Sequence, residues 1–293
     1  MDWTGLIQQI NDTCQLNLEL ISAQPVGGGD IHQAWRLHTQ SGDWFLKTNR
    51  ADALKLFSCE AHALQAIADT HTIRCPEPAG HGTYGSHAWL LMEYLPLGHR
   101  GNERDRGRAL ALLHHQLEPE GRFGWFEDNY IGHTLQPNGW ETDWLHFYGE
   151  KRLRHQLELA RQAGAPHYLY DSGLKLIERL PFFFSDYTPK PSLLHGDLWG
   201  GNSAFTVDGE PVIYDPASYY GDHEADIAMT ELFGGFGSDF YAAYREVFPL
   251  DTGYGVRKTL YNLYHILNHF NLFGGGYATS AQRMIDQLLA EAR

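Results

Sequence analysis

The stretch Leu193-Leu194-His195-Gly196-Asp197-Leu198-Trp199-Gly200-Gly201-Asn202, followed by Val212-Ile213-Tyr214-Asp215, governs the reading of this chain. An apolar pair leads into His-Gly-Asp, an Asn stands five positions after that Asp, and a second Asp closes another apolar run. A carboxylate, an amide oxygen and a second carboxylate in this order suit phosphoryl transfer. One oxygen aligns an attacking hydroxyl, and two hard oxygens hold magnesium. The bland alternative is a surface turn before an ordinary strand. Four polar identities in register between strand-like runs argue against it.

Upstream of this segment the pattern is β-rich. Residues 3–11 form a short amphipathic helix, and 18–21, 32–37 and 44–47 read as strands, with Gly27-Gly28-Gly29-Asp30 and Ser41-Gly42-Asp43 as turns. Leu56, Glu60, Ala63, Leu64 and Ile67 recur at helical spacing, so a helix is predicted over 53–68. Trp89 to Leu95 is a buried strand, and Pro96-Leu97-Gly98 marks a hinge. Beyond it, helices are predicted over 103–117, 142–163, 167–180, 223–234, 238–246, 255–273 and 280–292. The fold class is therefore α+β and bilobal. Residues 1–95 form a small β-rich nucleotide-binding lobe, and 96–293 a helical catalytic and substrate-binding lobe.

Length and composition agree. A chain of 293 residues can bury two cores, and 43% hydrophobic with 20% charged residues is ordinary for a soluble protein. A net charge of −14 argues against a nucleic-acid binder and against docking on anionic membranes. Cys14, Cys59 and Cys75 have neither CxxC nor His spacing and read as reduced cytoplasmic thiols. The opening residues carry no signal-peptide pattern, and no apolar run approaches a membrane span. His114-His115 on a helical pattern reads as a solvated or partly buried pair rather than a metal site. Nothing in the pattern specifies an oligomer.

Each requirement of a kinase finds a residue in order. Gly27, Gly28 and Gly29 would let backbone N–H groups approach phosphates. Lys47 ends the next strand, and Glu60 on the following helix is the anion that would hold its flexible stem. Met92-Glu93-Tyr94-Leu95 offers backbone groups to an adenine edge. Asp197 is the base or aligner for the hydroxyl, while Asn202 and Asp215 are the Mg²⁺ ligands for bound ATP. His195 is structural, its ring bonding the backbone to shape the loop. Asp226, an acid in an apolar helix, braces that loop by accepting its N–H groups. Only eleven positions separate Asp215 from Asp226, too few for a polypeptide platform or an activation switch. Gly196 also stands where protein kinases carry Arg, and Pro216 where they carry Phe. A small-molecule acceptor fits best.

These motifs resemble the fructosamine-3-kinase (ketosamine kinase) family, relatives of aminoglycoside phosphotransferases with a protein-kinase-like fold. The resemblance spans nearly the whole chain. It rests on His195 to Asn202 with its Trp-Gly-Gly, and on Asp215-Pro216-Ala217-Ser218-Tyr219-Tyr220-Gly221. It extends to Phe123-Gly124, Asp128-Asn129-Tyr130-Ile131-Gly132, Phe147 to Leu153, and Asn268-His269-Phe270-Asn271. It implies ATP-dependent phosphorylation of a ketosamine at the sugar 3-hydroxyl, on a free metabolite or a glycated protein, which makes the adduct unstable and frees the amine. Trp199 would then supply a flat face to the sugar, or else be a core Trp. Asp128, Asn129 and His269 would bond the remaining hydroxyls. Some members carry a Cys in the Gly-rich turn for redox control; this turn has none. Two alternatives remain at this stage: an aminoglycoside- or choline-type phosphotransferase, and a nucleotide-binding pseudokinase module. The intact set Lys47, Glu60, Asp197, Asn202 and Asp215 argues against the second.

Overall fold

The computed structural model describes residues 1–27, 32–98 and 100–292. The chain divides into two compact units, Met1–Asn102 with Ala204–Pro216, and Glu103–Ser203 with Ala217–Arg293. Together they give a mixed α+β protein.

The first unit starts with helix α1 (Trp3–Cys14), whose N-terminus is capped by Asp2 Oδ1 accepting the Gly5 N–H at 3.2 Å. Strands β1 (Leu20–Val26), β2 (Gln33–Thr39) and β3 (Gly42–Arg50) precede helix α2 (Leu54–Ala68), and β4 (Pro78–Tyr84) and β5 (His87–Glu93) follow. They form one antiparallel sheet in the order β1-β2-β3-β5-β4. Leu6 and Ile10 of α1 pack on Leu37, Leu46, Trp89 and Leu91 from one sheet face. Side chains alternate along a strand, so with Leu46 in this core Lys47 takes the other face, where it reaches α2. The sequence pattern did not reveal β4, because Pro78, Gly80 and Gly82 disguise it. A Cβ at Gly82 would lie 2.8 Å from the Trp89 ring, and one at Gly80 2.6 Å from Cys14 Sγ. Both glycines admit close neighbours at the expense of strand propensity. A second sheet of Leu97–Gly98, Ser203–Thr206 and Pro211–Ile213 leads directly into Asp215.

The second unit contains α3 (Glu103–His114) and a hairpin of Asn129–Ile131 with Thr134–Gln136. The helix predicted over 142–163 is helical throughout but not uniform. It comprises α4 (Trp144–His146), a π-helical stretch Phe147–Arg154 and α5 (His155–Gln162). Then come α6 (His167–Glu178) and α7 (Leu180–Phe183), α8 (Glu224–Leu232), α9 (Ser238–Val247), α10 (Tyr254–Phe273) and α11 (Tyr277–Glu291). Residues 260–268 of α10 are buried on every side, making it the central helix of this unit. Gly107 lets α3 cross α9 closely, since a Cβ there would sit 2.2 Å from the Phe240 carbonyl oxygen. Among the described residues no helix is long and apolar enough to cross a membrane.

Candidate active site

In the first unit, Lys47 Nζ donates to Glu60 Oε1 and to Asp215 Oδ1, each at 2.6 Å. β3 supplies the lysine, α2 the glutamate, and the turn after Pro211–Ile213 the aspartate. Burial opposes the ammonium charge, but the two carboxylates outweigh it and hold the Lys47 pKa above the ordinary lysine range. Burial pushes the Glu60 carboxyl upward against the attraction of Lys47. Asp215 is half-exposed and adopts φ +56°, a left-handed conformation that Asp tolerates better than most residues. Non-glycine residues held there cluster at functional sites.

In the second unit, Asp197 lies on a loop closed from three directions. Its N–H donates to His195 Nδ1 at 3.2 Å, so the buried His195 ring shapes the loop from within. Asn202 Nδ2 donates to the Asp197 carbonyl at 2.9 Å and to its Oδ2 at 3.2 Å. Asp226 Oδ2 accepts the His195 N–H at 2.7 Å, and its Oδ1 the Gly196 N–H at 2.9 Å. Gly196 has φ +84°, and a Cβ on it would fall 2.1 Å from the Ala217 carbonyl oxygen. An Arg at this position would fail on both counts. Burial would raise the Asp226 carboxyl, but the bond and charge of His114, the charge of His195 and the Gly196 N–H hold it below the ordinary range.

Trp199 is 40% exposed, which excludes a core role. Its indole folds over Gly201, where a Cβ would lie 2.2 Å from the ring. Phe233 stands edge-on to it at 6.3 Å and contacts His269 at 4.8 Å. His269 Nδ1 donates to the His265 carbonyl at 2.8 Å, leaving Nε2 as the acceptor of the neutral ring. Burial favours that neutral form by lowering the His269 pKa.

Asn129 requires a correction. The sequence reading set it among the groups that bond sugar hydroxyls, but it is 2% exposed and its amide is committed. Nδ2 donates to the Ser218 carbonyl, and Oδ1 accepts from Gln136 and Asn138. Gln136 also donates to the Ala217 carbonyl, and Arg152 Nη2 donates to Asn138 Oδ1. Asn129 therefore braces the backbone that follows Pro216. Gln136, Asn138 and Arg152 share this task; the sequence reading gave none of them a role, although Arg152 lies in the Phe147 to Leu153 motif. Asp128 is exposed and accepts the Asn138 N–H at 2.7 Å.

Met92 is buried in β5, and the Glu93 N–H already donates to the Glu77 carbonyl at 2.8 Å. Tyr94 lies under the Arg36 guanidinium, 4.5 Å from ring centroid to carbon, and Leu95 follows in irregular backbone. Gly27 is exposed with open space where a Cβ would point; Gly28, Gly29 and Asp30 lie outside the described residues. Taken singly, Asp215 offers a carboxylate, and Asn202, whose nitrogen is spent on Asp197, offers an amide oxygen; each is a hard oxygen donor.

The fold is that of a protein-kinase-like phosphotransferase. The aminoglycoside phosphotransferase APH(4)-Ia superposes with a TM-score of 0.61 over 98% of each chain at 14% identity. A candidate fructosamine-3-kinase from Haemophilus somnus superposes with a TM-score of 0.88 at 30% identity, over 98% of this chain and 97% of that one. The fructosamine kinase family model matches residues 2–291, and the chain belongs to that family. A probable ketoamine kinase of Synechocystis is 45% identical over 98% of this chain and 97% of its own length. The chloroplastic protein-ribulosamine 3-kinase of Arabidopsis thaliana is 46% identical over 90% of this chain and 81% of its own.

Proposed function

We propose that this protein transfers the γ-phosphoryl group of ATP to the 3-hydroxyl of a ketosamine, the adduct of a reducing sugar with an amine. The observation that carries the reading is Lys47 held between Glu60 and Asp215, a preorganised cation of the kind that neutralises transferring phosphates. A binding module without catalysis has no need to maintain that pair of anions around a buried lysine. The substrate class is supported by whole-length membership of the fructosamine kinase family and by the ribulosamine kinase among the relatives.

In this reading residues 1–95 hold the nucleotide, through Lys47, the Gly27-Gly28-Gly29 turn and the backbone after Met92. Asp197 accepts the hydroxyl proton as the sugar oxygen bonds to phosphorus and the bond to the ADP oxygen breaks. Mg²⁺, when bound, neutralises phosphate charge, and Asn202 and Asp215 are the side chains assigned to it. Trp199 packs against the ketose carbons, His269 Nε2 accepts from a hydroxyl, and Asp128 flanks the acceptor. Asn129 acts indirectly through Ala217 and Ser218. Phosphorylation at the 3-hydroxyl destabilises the adduct and releases the amine, on a free metabolite or a glycated protein. A reducing, cytoplasmic setting is supported by three thiols that form no disulfide.

The test is ATP turnover with fructosamine, ribulosamine and erythrulosamine adducts of a small amine, beside an aminoglycoside and choline. The reading expects turnover confined to the ketosamines. Turnover only with the aminoglycoside or choline refutes it.

A further inference from the structure

His114, the last residue of α3, is fully buried and takes no part in the chemistry described above. Its Nε2 lies 3.1 Å from Asp226 Oδ2, the oxygen that also accepts the His195 N–H. Its Nδ1 lies 2.7 Å from the Tyr244 hydroxyl of α9, which lies 2.9 Å from His223 Nδ1. An ionised carboxylate only accepts, so His114 Nε2 must carry the proton facing Asp226. His223 is neutral, because burial lowers its pKa to about 3, so it has a ring proton to give on one nitrogen only. The contacts therefore run without a break from His223 through Tyr244 and His114 to Asp226.

We propose that His114 is a positioning residue for phosphoryl transfer, holding the Asp226 carboxylate and through it the His195–Gly196 backbone that presents Asp197. The assignment rests on Asp197 as the hydroxyl-aligning group. Asp226 is buried and receives three donors, from His114, His195 and Gly196. Without the His114 donor, a buried charge must be satisfied by shifting toward the two remaining N–H groups, and these belong to the catalytic loop. Gly196 is pressed against Ala217, so the loop has no slack to absorb such a shift without turning the next residue, Asp197. Small displacements of an aligning group are costly in rate while leaving binding intact.

The test compares His114→Gln, His114→Asn and His114→Leu. A glutamine amide nitrogen reaches the Nε2 position and keeps the bond to Asp226, whereas asparagine reaches only toward Tyr244. Expected for Asn and Leu is a kcat lower by roughly 10- to 100-fold, with KM for ATP and ketosamine within about twofold of wild type. The Gln variant should stay within a few-fold of wild type. Amide hydrogen exchange at His195 and Gly196 should quicken in the Asn variant and not in the Gln variant, with the core of α10 unchanged. If Leu fails to fold, the Asn and Gln pair decides. Equal impairment of Gln and Asn, or a loss confined to KM, overturns the proposal. Unchanged exchange at Gly196 in the Asn variant overturns it whatever the substrate. Absence of ketosamine turnover in the wild type with the exchange contrast intact refutes the functional reading instead.

Discussion

Lys47 Nζ and Asp215 Oδ1 meet at 2.6 Å although 168 positions separate them in the chain. The contact depends on Asp215 taking a left-handed backbone conformation at the end of a short strand, and it gives the lysine its second anion. Replacing Asp215 by Asn keeps a polar group but removes that charge and the carboxylate assigned to Mg²⁺. Nucleotide binding in the presence of Mg²⁺ should weaken by about tenfold or more, equivalent to about 1.4 kcal/mol, as read by calorimetry. Binding equal to wild type would contradict the assignment.

Activity should need no activating phosphorylation. The segment after Asp215 is built into the fold: Ala217 N–H donates to the His195 carbonyl, Leu194 N–H to the Tyr219 carbonyl, and Tyr220 pairs with Leu193. Ser218 is fully buried and Tyr219 nearly so, which closes them to a modifying enzyme. Phosphatase-treated protein should match untreated protein in kcat. A large gain on phosphorylation within 216–222 would overturn this.

Trp199→Ala should raise KM for the ketosamine by an amount corresponding to about 1–3 kcal/mol, with KM for ATP little changed. Folding should persist, because the ring is partly exposed and covers a glycine. His269→Ala should act in the same direction, by about 1 kcal/mol for one hydrogen bond. An equal rise in both KM values for either variant would count against an acceptor-specific role.

The buried histidines set an acid limit on stability. Burial lowers His223 to about 3 from the ordinary 6.5. Between these values the unfolded chain binds a proton that the native state refuses, so stability is full above pH 6.5 and falls as pH drops toward 3. His223→Phe, which keeps a ring against Phe248, removes this dependence. The stability difference between variant and wild type should move in the variant's favour by about 1.4 kcal/mol per pH unit on acidification through this window. Parallel stability curves in denaturant titrations from pH 7 to 4 would contradict the assignment.

Much of this molecule was legible in the sequence because its chemistry is linear. The order Lys47, Glu60, Asp197, Asn202 and Asp215 is read directly, and hydrophobic periodicity located α1, α2 and the long helices. Strand β4 escaped because its glycines encode proximity to Trp89 and Cys14 rather than a period-two pattern. Asn129 was misread because a polar residue in a family motif can serve a backbone as readily as a ligand; its burial and its bonds to Ser218, Gln136 and Asn138 distinguish the two. His114 escaped for a similar reason. Two adjacent histidines on a helix point to different surroundings, and His114 is buried while His115 is exposed and stacked on Phe248. Its significance lies in contacts with α8 and α9, more than a hundred residues away.

The central claim, that Asp197 directs ATP to the 3-hydroxyl of a ketosamine, is tested most directly by phosphorus and carbon NMR of a fructosamine adduct incubated with ATP, Mg²⁺ and either wild-type protein or Asp197→Asn. The account predicts a phosphate ester on the third sugar carbon in the wild-type reaction, followed by release of the free amine. In Asp197→Asn it predicts nucleotide binding retained with turnover lower by about 10²–10⁴-fold. Ester at another carbon, or wild-type turnover in the Asn variant, would contradict it.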